Sequence, residues 1–396
     1  MGASGKRFLF LASWTGGGHF AAARAISLAL SDLDPASRAS SVDVLQHYAP
    51  PPFPSFPRLY ALLVSRAPWL YSATFALTDS PPVAGALSAL CFPLAARRLR
   101  AMLDEHHPDV LVVVHPLLVR PALRLARERP GLRVACVATD LVHLHSLWLA
   151  PGADLYCVAS EPAARQSLDH GLDPQRLVVA GQPILCHRGL PTSKAAARAA
   201  LGLEREPPLA LLIAGADGVG PLEETAAALE GCGAPLQLAV VCGRNDRVRR
   251  RLAGRGWRVP VTVAGFVEDM PLWLRAADVL VTKAGPGTLA EGLAEGLPTV
   301  IAQALPGQER ANVRHLCQAG AAVWAPSPRR AAEAVAGILS RPALRRELSL
   351  RARALARPEA ARVIARHLLG LLATEPGQDV VAAAGRTVAA ERITSL

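Results

Sequence analysis

Apolar residues in this chain follow two rhythms. Short unbroken runs end at glycines or polar residues, and between them apolar positions return every third or fourth residue. The first rhythm predicts strands buried on both faces, the second helices that cover them, and together they make a parallel α/β fold. Residues 7–13 read as the first strand, 14–19 as a loop and 20–30 as an alanine-rich helix. After residue 99 come strand 109–115, helix 119–129 and strand 133–140, then strands 155–160 and 177–180. The pattern restarts at 209–215, with a glycine loop to Pro221, a helix, and strands 236–243, 259–267 and 279–281. Trp273 falls on a short helix before the last of these. Two doubly wound sheets in succession, each with a glycine loop after its first strand, predict two Rossmann-like domains facing a cleft.

The boundaries follow from this reading: a first domain over 1–186, a polar hinge over 187–205 and a second domain over 206–340. Helices in 341–373 are expected to return to the first domain, and 374–396 to be a flexible tail. Between residues 329 and 366 ten arginines stand against Glu333, Glu347 and Glu359, so this ending is basic and amphipathic. It can cover the first domain or lie on anionic lipid. One stretch, 48–99, breaks the alternation. Prolines crowd residues 50–57, and Arg58, Tyr60, Arg66, Trp69, Tyr71 and Phe75 follow. It reads as an irregular insertion suited to a bilayer interface, where aromatic rings and snorkelling cations both gain. The competing reading is a helical insertion packed on the domain.

Composition narrows the class. Hydrophobic residues make up 51% of the 396 and aromatics 5%, so the cores are aliphatic. Seven cysteines without a C-x-x-C pair argue against a disulfide framework or a zinc site and for a reducing compartment. The net charge of +11 is carried by arginine, since Lys6, Lys194 and Lys283 are the only lysines. Such a bias reflects either a GC-rich genome or an anionic partner. No RRM, zinc-finger or basic-zipper pattern occurs, which turns the expectation from nucleic acid to an anionic membrane surface. The longest uncharged apolar stretch, 81–96, is shorter than a bilayer span and contains three prolines, and no signal or transit peptide is expected ahead of the first strand. The chain is not expected to cross a membrane.

The candidate chemistry sits where strands end. Gly16, Gly17 and Gly18 follow the first strand, and His19 stands at the mouth of the next helix. Thr139 and Asp140 close the strand 133–140, at the carboxyl edge where open α/β sheets place ligands, and His143, His145 and Trp148 follow in a loop. Later, Gly285-Pro286-Gly287 breaks a strand, and a helix is read as starting at Thr288, whose free N–H groups favour an anion. Glu291 lies one turn in, where a carboxylate can take both hydroxyls of a ribose; the plainer reading is a capping box from Thr288 to Glu291. Asp32 and Asp34 resemble an Asp-x-Asp cation motif but follow a helix and precede Pro35, away from any strand end. No other carboxylate or histidine cluster has ligand spacing, so no metal is expected.

Taken together, Thr15-Gly-Gly-Gly-His19, His115-Pro116, Thr139-Asp140-Leu141, Cys242-Gly-Arg-Asn245, Gly265-Phe266, the block from Thr282 to Glu291, and Pro306-Gly-Gln-Glu309 with Asn312 form an ordered set over residues 7–325. This set resembles the monogalactosyldiacylglycerol synthase and diacylglycerol glucosyltransferase group. These are family 28-like relatives of the peptidoglycan N-acetylglucosaminyl transferase, with a GT-B fold. The resemblance implies an inverting, metal-independent hexosyltransferase, with UDP-galactose favoured over UDP-glucose as donor, diacylglycerol as acceptor and no further cofactor. It implies that Phe266 and Val267 border the uracil, Glu291 binds the ribose, and Gly287 and Thr288 hold the diphosphate. Gly215, Gly218, Gly243, Arg244, Lys283 and Gly285 complete the donor side. Gln308 and Glu309 would face the hexose, and Glu309 joins His19 and Asp140 in the catalytic set. Gly16, Gly17, Gly18, His115 and Trp148 fall to the acceptor side.

Physically the assignment coheres. Glycosyl transfer needs a base near the acceptor oxygen and stabilisation of a leaving diphosphate; a histidine supplies the first, helix-end amides and a cation the second. The residues leave open whether His19 or Asp140 is the base. The implied location is peripheral, on the inner face of a bacterial cell membrane. Two departures stand out: Gly215-Ala-Asp-Gly218 replaces the family's triple glycine, and Ser146-Leu147 stands where relatives have Pro-Thr. Rival readings are a transferase for another lipid or small molecule, a nucleotide-sugar epimerase, and a silent sugar-nucleotide-binding subunit.

Overall fold

A computed structural model of the chain describes residues 5–51, 53–185, 191 and 193–373. They form two compact units, one of Met1–Leu185 with Glu359–Leu396 and the other of Cys186–Pro358.

The first unit is built on strands β1 (Arg7–Ala12), β2 (Arg38–Asp43), β3 (Val110–Val113), β4 (Arg133–Val137), β5 (Leu155–Val158) and β6 (Leu177–Val179). All neighbours are parallel, in the order β2-β1-β3-β4-β5-β6. Side chains alternate across a strand, so β1 serves two cores. Leu9 and Leu11 pack with Met102, Leu103 and Leu125 on one face. Phe8 and Phe10 pack on the other with Ile26 and Leu30, and with Ile364, Leu368 and Leu371 of helix Ala360–Leu371. The last described helix thus belongs to the first unit. β2 lacks an apolar run because its first four residues are exposed at the sheet edge. The chain moves from β1 outward to β2, then returns to β1's other side at β3, leaving a crevice at the carboxyl ends of β1 and β3.

The stretch read as irregular is mostly helical: Phe56–Arg66, Pro68–Thr78 and Pro81–His106. Its prolines helped to mislead. Pro68, Pro81 and Pro82 lie at helix starts, where a missing N–H costs nothing, and Pro93 lies inside a helix. Tyr71, Phe92, Ala96 and Leu99 are buried, so the insertion is packed on the domain. It also turns Leu59, Leu62, Trp69, Leu77 and Leu90 outward, with Trp69, Leu77 and Leu90 each more than 70% exposed. Among the described residues no helix is long and apolar enough to cross a membrane.

The second unit holds β7 (Leu209–Ile213), β8 (Gln237–Val241), β9 (Val261–Ala264), β10 (Val279–Lys283), β11 (Thr299–Gln303) and β12 (Ala322–Trp324). They run parallel in the order β12-β11-β10-β7-β8-β9, so the topological switch falls between β7 and β10. Of the stretch expected as a hinge, 187–190 and 192 lie outside the described residues, and Lys194–Ala200 is a helix. Its Arg198 is buried and donates to the Ala276 carbonyl and to Asp278. Of the basic ending, helices Pro328–Ser340 and Pro342–Leu355 pack in the second unit through Val335, Ile338 and Leu348. The tail 374–396 lies outside the described residues.

Candidate functional site

Each unit gathers predicted residues at its own switch point. In the first, the loop after β1 carries Gly16, Gly17 and Gly18 into helix Gly18–Leu33, with Gly17 as the N-cap residue. His19, in that helix's first turn, reaches the residues after β3 and β4. Its Nδ1 lies 2.5 Å from the Val114 carbonyl and 3.0 Å from Thr139 Oγ1. A carbonyl oxygen can only accept, so Nδ1 carries the proton, and in the neutral ring Nε2 is left with its lone pair. Burial pulls the pKa of His19 below 6.5, opposed by the charge of Asp140 and the Val114 bond. The imidazole is neutral near pH 7.

His115 is the second ring here. Its centroid is 4.6 Å from that of His19. It is almost fully buried, and its Nε2 lies 3.0 Å from Thr15 Oγ1. Burial, then the neighbouring His19, push its pKa well below 6.5, so it stays uncharged. Asp140 accepts from the indole Nε1 of buried Trp148 at 2.8 Å. Gly16–Gly18, His19, His115, Asp140 and Trp148 are therefore one constellation. The loop 143–148, where Ser-Leu departs from the family pattern, is tied to Asp79: His143 Nε2 lies 2.7 Å from its Oδ2, and Ser146 donates from both N and Oγ to Oδ1. Sequence reasoning missed Asp79. Its one signal was Asp-Ser-Pro-Pro, the helix-breaking step between two helices.

In the second unit the departure from triple glycine is explained by packing. Gly218 and Gly243 both have left-handed backbone (φ 58° and 56°). A Cβ on Gly218 would lie 2.1 Å from the Cys242 carbonyl oxygen, and one on Gly243 would lie 2.2 Å from that of Ala216. The loops after β7 and β8 press on each other at these two positions, while Ala216 and Asp217 are half-buried. Asp217 takes a hydrogen bond from Arg244 Nη1 at 3.1 Å, and the Arg244 guanidinium lies 4.8 Å from the centre of the Phe266 ring. Phe266 is 53% exposed, a flat apolar surface at the end of β9. Val267 instead packs against the core beneath.

After β10 the helix runs Pro286–Glu295, with Gly285 as N-cap and Pro286 at the first position. It begins two residues before the expected Thr288, so the capping-box alternative fails: Thr288 lies inside the first turn, and no side chain caps the helix. Nothing lies within 4 Å of where a Gly287 Cβ would be, and no side chain caps the first-turn amides, which at a helix start favour an anion. Lys283 Nζ donates to Glu309 Oε1 at 2.5 Å, and the Leu305 N–H donates to Oε2 at 2.9 Å. Glu309 is only 2% exposed. It holds Lys283 beside Gly285 and the Gly215 loop, where a Gly215 Cβ would lie 3.2 Å from Lys283 Cε. Gln308 is half-buried in the same turn, and Asn312 donates to the Ala284 carbonyl at 2.9 Å. Burial pushes the Glu291 carboxyl up to about 7. Among the described residues no group of three or more histidine, cysteine or acidic side chains is placed to hold a metal ion.

Residues 19–184 match the family model for monogalactosyldiacylglycerol (MGDG) synthase, and 215–339 that for the glycosyltransferase family 28 C-terminal domain. Monogalactosyldiacylglycerol synthase 2, chloroplastic, of Arabidopsis thaliana is 34% identical over 368 residues, covering 90% of this chain and 78% of that one. Monogalactosyldiacylglycerol synthase 1, chloroplastic, of the same plant is 32% identical over 372 residues, covering 90% and 69%. Among solved structures, Acinetobacter baumannii MurG superposes with a TM-score of 0.57 at 18% identity, covering 91% of this chain and 98% of that one. The glycotransferase of kitacinnamycin gives 0.60 at 19%, covering 91% and 99%. These likenesses show the fold, which is GT-B.

Proposed function

The chain belongs to the monogalactosyldiacylglycerol synthase family, and on that premise we propose that it transfers galactose from UDP-galactose to diacylglycerol at a membrane surface. It is a glycosyltransferase; the donor, the acceptor and the stereochemistry are our reading. The observation that carries this reading is the fixed tautomer of His19, whose Nδ1 is engaged by Val114 and whose Nε2 is left as an acceptor.

In the reaction we propose, Nε2 of His19 takes the proton of the acceptor hydroxyl as its oxygen attacks the anomeric carbon. The bond to the diphosphate breaks on the opposite face, which inverts the configuration. Asp140, held by Trp148, favours the imidazolium that forms, so His19 is the base and Asp140 its electrostatic support. Charge developing on the departing UDP falls on the helix-start amides of Gly287 and Thr288 and on Lys283, which supply the stabilisation a divalent cation gives elsewhere. Phe266 offers the uracil a stacking face, and Glu291 takes the ribose hydroxyls. Glu309 acts through Lys283. The outward Leu62, Trp69, Leu77 and Leu90 meet the lipid surface, and arginines add attraction to anionic headgroups.

Incubating the protein with labelled UDP-galactose or UDP-glucose and diacylglycerol vesicles, with and without EDTA, and resolving the lipids tests this. A galactolipid formed equally with EDTA is expected. Label remaining in water-soluble species with both donors would overturn the reading.

A further inference from the structure

The helices that carry the exposed apolar side chains of the first unit are joined by a set of polar contacts to Asp140, whose charge acts on the proposed acceptor base. Asp79 is the elbow between helices Pro68–Thr78 and Pro81–His106, which carry Trp69, Leu77 and Leu90 outward. Its carboxylate takes three contacts from the loop after β4: His143 Nε2, Ser146 N and Ser146 Oγ, at 2.7–2.9 Å. A second contact runs alongside, from His145 Nε2 to Thr78 Oγ1 at 3.1 Å, with the Phe75 ring edge-on to His145 at 4.8 Å. The same loop closes on itself, Trp148 N donating to the His145 carbonyl at 2.8 Å, and the Trp148 indole then holds Asp140.

We propose that Asp79 is a positioning residue for sugar transfer: paired with His143, it fixes the loop that orients Asp140, and so makes the placement of Asp140 depend on the seating of the apolar helices. The proposal rests on the reading of Asp140 and His19 given above.

The groups facing this pair are few. Asp79 is met by His143 and Ser146, with His145 nearby; His143 is met by Asp79 and, at longer range, Asp140. Burial opposes ionisation of Asp79, but the bonds from His143 and Ser146 overcome it and bring its pKa down to about 2. The Asp79 bond raises that of His143 against the effect of burial, while burial lowers that of His145. Of these two histidines, His143 is the one whose charged form its surroundings favour. A group whose folded pKa is raised gives stabilisation that is complete at low pH and fades as pH climbs through the raised value. The pair weakens above the ordinary histidine range, which places a basic limb on turnover.

The test uses the full chain, UDP-galactose and diacylglycerol vesicles. Asp79→Asn is expected to lower kcat by about tenfold or more, since small displacements of an orienting group carry such factors, and to leave the KM for UDP-galactose unchanged. His143→Gln keeps an N–H donor but loses the charge, and is expected to remove the basic limb. Wild-type kcat and an unaltered pH profile in both variants would overturn the proposal. If Asp79→Asn fails to fold, the pH profile of His143→Gln decides alone. An inactive wild type with either UDP-hexose would instead sink the parent reading, so the two failures are distinct.

Discussion

His19 and His115 stand with ring centroids 4.6 Å apart, yet they differ in what they can do. His115 is buried with its Nε2 on Thr15, whereas His19 spends Nδ1 on a carbonyl and keeps Nε2. Replacing His19 by Ala should reduce turnover by roughly 10²- to 10⁴-fold, the usual contribution of a positioned base. Calorimetry should show UDP affinity unchanged, because the residues proposed to hold UDP belong to the second unit. Turnover near wild type would remove His19 from the mechanism.

The pH dependence follows from the same ring. Burial lowers the pKa of His19, so the base is deprotonated from below 6.5 upward. Activity should rise with pH on an acid limb centred below the ordinary histidine value. A limb centred above 6.5 would point to another group.

Glu291 gives a prediction on stability as well as on binding. Its carboxyl is raised from 4.5 to about 7 by burial, so its ionised form is disfavoured in the free protein. For an acid with a raised folded pKa, the destabilisation starts above the unfolded value and is complete above the folded one. Glu291→Gln should therefore raise the melting temperature at pH 8 and leave it unchanged at pH 4. The same variant should weaken UDP binding by about tenfold to a hundredfold, as expected for a lost hydrogen bond to a charged group. Wild-type affinity by calorimetry would contradict the ribose role.

Gly218→Ala tests the loop that departs from triple glycine. The added methyl would meet the Cys242 carbonyl oxygen at 2.1 Å on a left-handed backbone. A cost of roughly 1–3 kcal/mol is expected from the strain, read by denaturant unfolding. Ala216→Gly, beside it, should preserve UDP binding.

The outward apolar residues should govern vesicle binding. Trp69, Leu77 and Leu90 changed together to Ser should weaken flotation with diacylglycerol vesicles and make what remains salt-sensitive, while UDP affinity stays constant. High salt should release the wild type only in part, since screening removes the arginine attraction but not the apolar one. Flotation of the triple variant equal to wild type would exclude this face.

Much of this was legible in the chain because strands buried on both faces leave unbroken apolar runs. The ends of β1, β4 and β7, and with them the positions of His19, Asp140 and Gly215, followed from that; Lys283 came in only through the family motif. β2 did not, since an exposed edge strand reading Arg-Ala-Ser-Ser has no such run. The start of the helix after β10 was misplaced because Thr288 resembles a cap, while Pro286 fits the first helical position without one. Contacts distant in sequence were out of reach. Nothing near Glu309 announces that its oxygens are taken by Lys283 and the Leu305 amide, or near Asp79 that it meets His143 and Ser146.

In the proposed reaction the acceptor oxygen displaces UDP directly at the anomeric carbon. Proton NMR of the lipid formed from α-linked UDP-galactose measures this. A β-linked galactosyl-diacylglycerol, made by the wild type and lost with His19→Ala, is the predicted result. An α-linked product, or galactose released to water with no glycolipid, would contradict it.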